Sequence, residues 1–160
     1  VRRRGIERAR DGSFRVRLPS EEREVLRSLP AQLSELLGEG DASLRRLFPP
    51  AYADDPDAEA EYRRLVEASL VDGRLAALAE LERTASSERL SEAELESWLG
   101  ALESLRLVLG TQLDITEESY GVFDPAHADA PRLALYHWLS WLQEEVVQAL
   151  AATLPPEGAG

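Results

Sequence analysis

Apolar residues recur along most of this chain at helical spacing, and they are densest over 91–113. At about 100° per residue, Leu95, Trp98, Leu99, Leu102, Leu105, Leu109 and Leu113 crowd into one arc. Leu107 and Val108 fall outside that arc, so the second half of the stretch is apolar on more than one side. A helix of this kind is covered by several neighbours, which predicts a central helix. Its start is well marked. Ser91-Glu92-Ala93-Glu94 is a capping box, in which the Ser91 hydroxyl and the Glu94 carboxylate each take one orphan backbone N–H, and Leu90 and Leu95 hold the staple positions on either side.

The rest of the pattern surrounds this helix with others. Phe14, Val16 and Leu18 alternate with Ser13, Arg15 and Arg17 after Asp11-Gly12, which predicts a β-hairpin turning at Asp-Gly. A lone hairpin is marginal in water, so its apolar side should lie against helices. Ser20 opens a helix with acids in its first turn and Leu26, Leu29, Leu33, Leu36 and Leu37 as an inner stripe. Pro30 should kink or split it. Asp41 caps a short helix over 42–47, stopped by Pro49-Pro50, and an acidic loop follows over 52–57. A longer helix is expected over 58–83 with Tyr62, Leu65, Val66, Leu70, Leu78 and Leu81 inward, and Gly73 marks a bend or a close crossing. Residues 84–89 read as a polar connection and 114–130 as a second loop. The last helix starts near Pro131, with Leu135, Trp138, Leu139, Leu142, Val146, Ala149 and Leu150 inward. Tyr136 and Trp141 lie off that face, so a second surface is partly covered. The expected fold is mainly α: a single helical domain over 1–154, with about five or six helices around the central one and an Arg-rich β-hairpin over 1–18 packed on it. Residues 155–160 form a flexible tail.

Charge adds a division to this picture. The net charge is −12, every basic residue is arginine, and there is no cysteine. Residues 1–18 hold seven arginines (Arg2, Arg3, Arg4, Arg8, Arg10, Arg15 and Arg17) against Glu7 and Asp11. The remainder carries a balance of −17, which repels nucleic acid and favours solubility. The basic arm alone has the sign needed to contact phosphate, so its seven arginines are candidate partner or nucleic-acid contacts. An ordinary charged edge hairpin explains the same residues. No apolar run approaches the ~18 residues of a membrane span, and no apolar segment follows the first arginines as a secretory signal requires, so the expected location is the cytoplasm.

Candidate chemistry is sparse. The absence of cysteine excludes disulfides, thiolate metal sites and thiol catalysis. Asp124-x-x-His127-x-Asp129 offers three ligands without a fourth and reads as a solvated loop. His137, beside Trp138, lacks the Ser/Asp company of a catalytic histidine. The pairs Asp54-Asp55, Glu117-Glu118 and Glu144-Glu145 read as solvated. No phosphate loop, dinucleotide fingerprint or nucleophile elbow is present, so neither an enzymatic activity nor a cofactor is expected. Arg106 stands out because it lies inside the apolar arc. A guanidinium there must be paired or reach the surface along its stem. The expectation is a buried ion pair with the Asp54, Asp55 and Glu61 region; a partner-binding arginine and simple snorkelling are the alternatives.

Three segments taken in order carry a family resemblance. They are Arg46-Leu-Phe-Pro-Pro-Ala-Tyr-Ala-Asp-Asp55 with Glu61-Tyr-Arg-Arg-Leu65, then Leu105-Arg-Leu-Val-Leu-Gly-Thr-Gln-Leu113, and Leu135-Tyr-His-Trp-Leu139 with Leu142-Gln143. Together they resemble the actinobacterial uncharacterised-domain family of acidic helical proteins, which includes oxidative-stress transcriptional regulators of the AosR type. The resemblance spans roughly residues 3–151. It implies a cytoplasmic, non-enzymatic regulator that acts through protein contacts, with RNA polymerase or a sigma factor as partner and DNA reached only through the basic arm. Genes of the family often lie beside that of the Clp protease adaptor, which implies an alternative role as an accessory factor of Clp-type proteolysis. The family's redox sensing rests on a Cys-x-x-x-Cys disulfide. This chain has neither cysteine nor methionine, so the oxidation ladder of sulfur is closed to it.

Overall fold

A computed structural model describes residues 3–39, 52, 54–113 and 130–152. The short helix expected over 42–47 and the tail over 155–160 lie outside these residues. The protein is mainly α with a small antiparallel sheet near its N-terminal side. Strands β1 (Gly5–Arg8), β2 (Phe14–Arg17) and β3 (Arg89–Leu90) form the sheet in the order β1-β2-β3. Four helices make up the rest of the described structure: α1 (Ser20–Glu39), α2 (Pro56–Thr84), α3 (Glu92–Gln112) and α4 (Ala130–Ala151).

Helix α3 is the central element. It packs against α1, α2, α4 and β3. Leu95, Trp98, Leu102, Leu105 and Val108 are all buried on it, and Leu99, Leu107 and Leu109 pack partly buried around them. The capping box forms in full: Glu94 N–H donates to Ser91 Oγ at 3.1 Å, and Ser91 N–H donates to Glu94 Oε1 at 2.8 Å. Trp98 is wholly buried, and its indole N–H donates to Thr84 Oγ1 at 2.7 Å. The Thr84 hydroxyl in turn donates to Glu80 O at 2.6 Å. The largest core side chain thereby keeps its one polar atom satisfied.

The hairpin forms at Asp11-Gly12, with Gly12 at φ +88 and Asp11 Oδ1 accepting from Ser13 N–H at 2.9 Å. The loop is longer than a two-residue turn: the last register pair is Arg8 with Phe14, and Ala9 N–H donates to Ser13 O at 2.7 Å. Phe14, Val16 and Leu18 are buried in the core as their alternation predicts. The third strand was not expected. Arg89 and Leu90 pair with Arg15 and Phe14, which places part of the polar connection in the sheet.

Four further expectations change. Helix α1 runs unbroken past Pro30, which is buried inside it; one missing donor does not split the helix. In α2, Leu78 and Leu81 are buried as expected, but Leu65 is 70% and Leu70 44% exposed. A Cβ at Gly73 would meet nothing within 4 Å, so no close crossing occurs there. Helix α2 also begins earlier than expected, with Asp55 as N-cap accepting from Ala58 N–H at 3.2 Å and Pro56 in its first turn.

Candidate partner-binding surface

The basic hairpin is divided in two. Its first residues are tied to the helices. Glu145 of α4 is buried, with 7% of its surface exposed. Its Oε1 accepts from Arg3 Nη2 at 2.6 Å and its Oε2 from Ile6 N–H at 3.3 Å. Gly5 is required at this contact: its φ is +136, and a Cβ there would overlap the Glu145 carboxylate. Arg4 pairs with Glu22 of α1, and its guanidinium lies 4.1 Å from the centre of the Trp141 ring. This stacking accounts for the second covered surface of α4. Tyr136, the other residue expected there, is also buried.

A third arginine fastens the sheet. Arg23, in the first turns of α1, donates to Leu18 O at 3.2 Å, Ala85 O at 3.1 Å, Ser87 O at 2.9 Å and Val16 O at 2.8 Å. One fork of donors thus holds the end of β2 against the α2–β3 connection.

The far end of the hairpin is different. Arg8, Arg10 and Arg15 are exposed, and their guanidiniums make no hydrogen bond or ion pair among the described residues. Strand β3 brings Arg89 directly opposite Arg15 in the register. Like charges in that position destabilise a sheet by about 0.2–1 kcal/mol. Arg89 Nη1 donates to Asp11 Oδ2 at 2.9 Å, and Arg17 Nη1 donates to Glu7 Oε2 at 2.7 Å. Two hollows share the Arg15 and Arg89 pair. One, of about 530 Å³, includes Arg17, Arg23 and Glu88 in its wall. The other, of about 390 Å³, includes Arg8, Arg10, Glu7 and Asp11.

Of the arginines expected to contact a partner, Arg8, Arg10 and Arg15 converge here with Arg17 beside them, whereas Arg3 and Arg4 are engaged with α1 and α4. Arg2 lies outside the described residues. Sequence reasoning missed Arg89, because a two-residue strand is too short to show alternation.

The ion pair expected at Arg106 is a correction. Arg106 is half-buried and pairs with no carboxylate among the described residues. Asp55 is occupied in capping α2, Glu61 is exposed with Arg64 3.8 Å away, and Asp54 is exposed. Half-burial fits a stem laid along the helix contact with its charge at the edge. The buried charge of the described structure is Glu145, which had been read with Glu144 as solvated.

Asp124, His127 and Asp129 lie outside the described residues. Among the described ones, no three His, Cys, Asp or Glu side chains gather to hold a metal ion. His137 packs edge-on against Tyr136 at 5.8 Å between ring centres. No described helix is long and apolar enough to cross a membrane.

Electrostatic shifts concern three exposed or nearly exposed carboxyls. Hydrogen bonds from Ser13, and then the charge of Arg89, hold Asp11 below its ordinary value. Glu80 is lowered by its bond from Arg83. Glu94 is lowered first by the Ser91 backbone N–H and then by Arg83. Arg83 is itself raised by both acids.

Comparison with known proteins decides the family. The model of a domain of unknown function, DUF2017, matches residues 3–150. The chain belongs to this family. Within the DUF2017 family, a Mycobacterium leprae relative is 33% identical over 130 residues, covering 71% of this chain and 60% of its own length. Relatives from Mycobacterium tuberculosis and Mycobacterium bovis, both named oxidative stress regulator AosR, are 32% identical over 128 residues. That match covers 69% of this chain and 59% of theirs, so the chain spans about three fifths of the length of the curated relatives it matches. These relatives are actinobacterial and named as regulators, in agreement with the resemblance read from the sequence. No solved structure matches.

Proposed function

We propose that this DUF2017 protein is a regulator in the oxidative-stress response that works through contacts with other proteins, without catalysis and without a bound cofactor. It acts as one helical unit over 1–154, in the cytoplasm. The observation that carries this reading is the 32% identity to proteins named oxidative stress regulator AosR. With neither cysteine nor methionine in the chain, it detects no oxidant through sulfur, and the signal reaches it from another component. RNA polymerase or a sigma factor is the partner this role requires. An affinity pull-down with mass spectrometry from oxidant-treated and untreated cells tests it. RNA polymerase or sigma subunits are expected among the enriched proteins. Recovery of Clp subunits alone would replace this role with that of an accessory factor in Clp-type proteolysis.

A further inference from the structure

We infer that the outer face of the three-stranded sheet, centred on Arg15 and Arg89, is a docking surface for an extended acidic segment of a protein partner. The proposal deepens the reading of a regulator that acts through contacts, by naming the surface and the partner's chemistry. Its biological setting rests on that reading; the binding itself does not.

Three observations support it. First, Arg8, Arg10 and Arg15 are exposed and make no ion pair among the described residues, although Glu7 stands opposite Arg15 in register. Second, Arg15 stands between Glu7 and Arg89 in register, and the two hollows around it gather six arginines against Glu7, Asp11 and Glu88, a surplus of positive charge. Third, the two hollows share the Arg15 and Arg89 pair as a common wall. An extended segment crossing the pair can place one acidic side chain in each hollow, because alternate residues of a strand point the same way.

Carboxylate is favoured over phosphate by the company these arginines keep. The face already holds carboxylates in guanidinium forks, Glu7 on Arg17 and Asp11 on Arg89. Glu88 lines the larger hollow as well. A short segment confined to the sheet is screened from the rest of the protein beyond about 8 Å at physiological ionic strength. A nucleic-acid duplex carries one charge per about 1.7 Å of its axis and is too broad to avoid the acidic remainder, whose balance is −17.

The test uses the whole chain and a fluorescein-labelled peptide of alternating Asp and Gly. Roughly ten residues suffice, an extended length of about 33 Å. Fluorescence anisotropy at low salt should show binding that weakens as salt is raised. Arg15→Glu should weaken it about tenfold or more. Arg10→Glu, at the exposed turn, gives an independent second variant with the same expected direction. Arg64→Glu, on the far exposed part of α2, should leave it unchanged, and circular dichroism melts show that each variant is folded. Absence of peptide binding to the unaltered protein would overturn the proposal, as would equal binding by folded Arg15→Glu. So would tighter binding of duplex DNA that Arg15→Glu abolishes, which would make the face a nucleic-acid surface. Peptide binding that persists while the pull-down returns no transcription subunit separates this surface from the proposed regulatory role.

Discussion

At the start of β1, Arg3 and Arg4 are committed to Glu145, Glu22 and the Trp141 ring, whereas at the turn end Arg8, Arg10 and Arg15 have no ion-pair partner among the described residues. The residue type is the same at both ends. What differs is what lies behind the sheet. Near Gly5, helix α4 approaches closely enough that a carboxylate occupies the space of a side chain. Beyond Arg8 the hairpin extends past the helices. An arginine beside a buried acid is a fastening, and an exposed arginine without an ion pair is not. Counting positive charges along residues 1–18 treats the two as one.

Substitutions at the fastened end should be the most costly. Gly5→Ala forces a Cβ into the Glu145 carboxylate at a positive φ, and should lower stability by about 3 kcal/mol in thermal or denaturant unfolding. A loss under about 1 kcal/mol would mean that the contact is looser than described. Glu145→Leu removes the acceptor of a buried Ile6 N–H and should cost about 2 kcal/mol; because both changes act on one contact, their effects should not add in the double variant.

At the free end, Arg15→Ser should have the opposite sign. Relief of the repulsion with Arg89 should leave stability unchanged or raise it by up to about 1 kcal/mol, read as a small rise in melting temperature. A clear fall would show that Arg15 carries structural weight and would narrow the contrast between the two ends. Acid should separate the ends least. Asp11, Glu80 and Glu94 have folded-state pKa values below their ordinary ones. The stability they contribute is therefore present above the ordinary carboxylate range of about 4 and is lost as pH falls through the lowered values. Melting temperature should drop over that window, and Glu94→Gln should flatten the drop.

How far the sequence revealed these features depends on the signal each one leaves. The central helix was legible because its capping box and apolar arc are both local patterns, and each survives in the structure at the expected residues. Asp55-Pro56 was an available helix start, an N-cap residue followed by proline, hidden by the acidic residues around it. Arg106 and Glu145 pose the same puzzle, a charge at helical spacing among apolar neighbours. Glu145 lies three residues after Leu142 and four before Ala149, both buried, so the test that singled out Arg106 could have found it. It was hidden by Glu144, which made the pair resemble a solvated run. Arg89 left no local trace, since its importance comes from a pairing with Arg15 across more than seventy residues. Leu65 and Leu70 are exposed although they fall on the apolar stripe, because periodicity reports a face and not what covers it.

The link between Arg3 and Glu145 spans 142 positions in the chain, and that between Ile6 and Glu145 spans 139. During synthesis the hairpin can close on itself early, because its partners are only a few residues apart. Its seat cannot exist until α4 has left the ribosome. Contacts so distant in sequence form late and slowly, so the hold of Glu145 on β1 comes after the hairpin itself. Until then the charged half of β1, Glu7 and Arg8, keeps its edge from pairing with another chain.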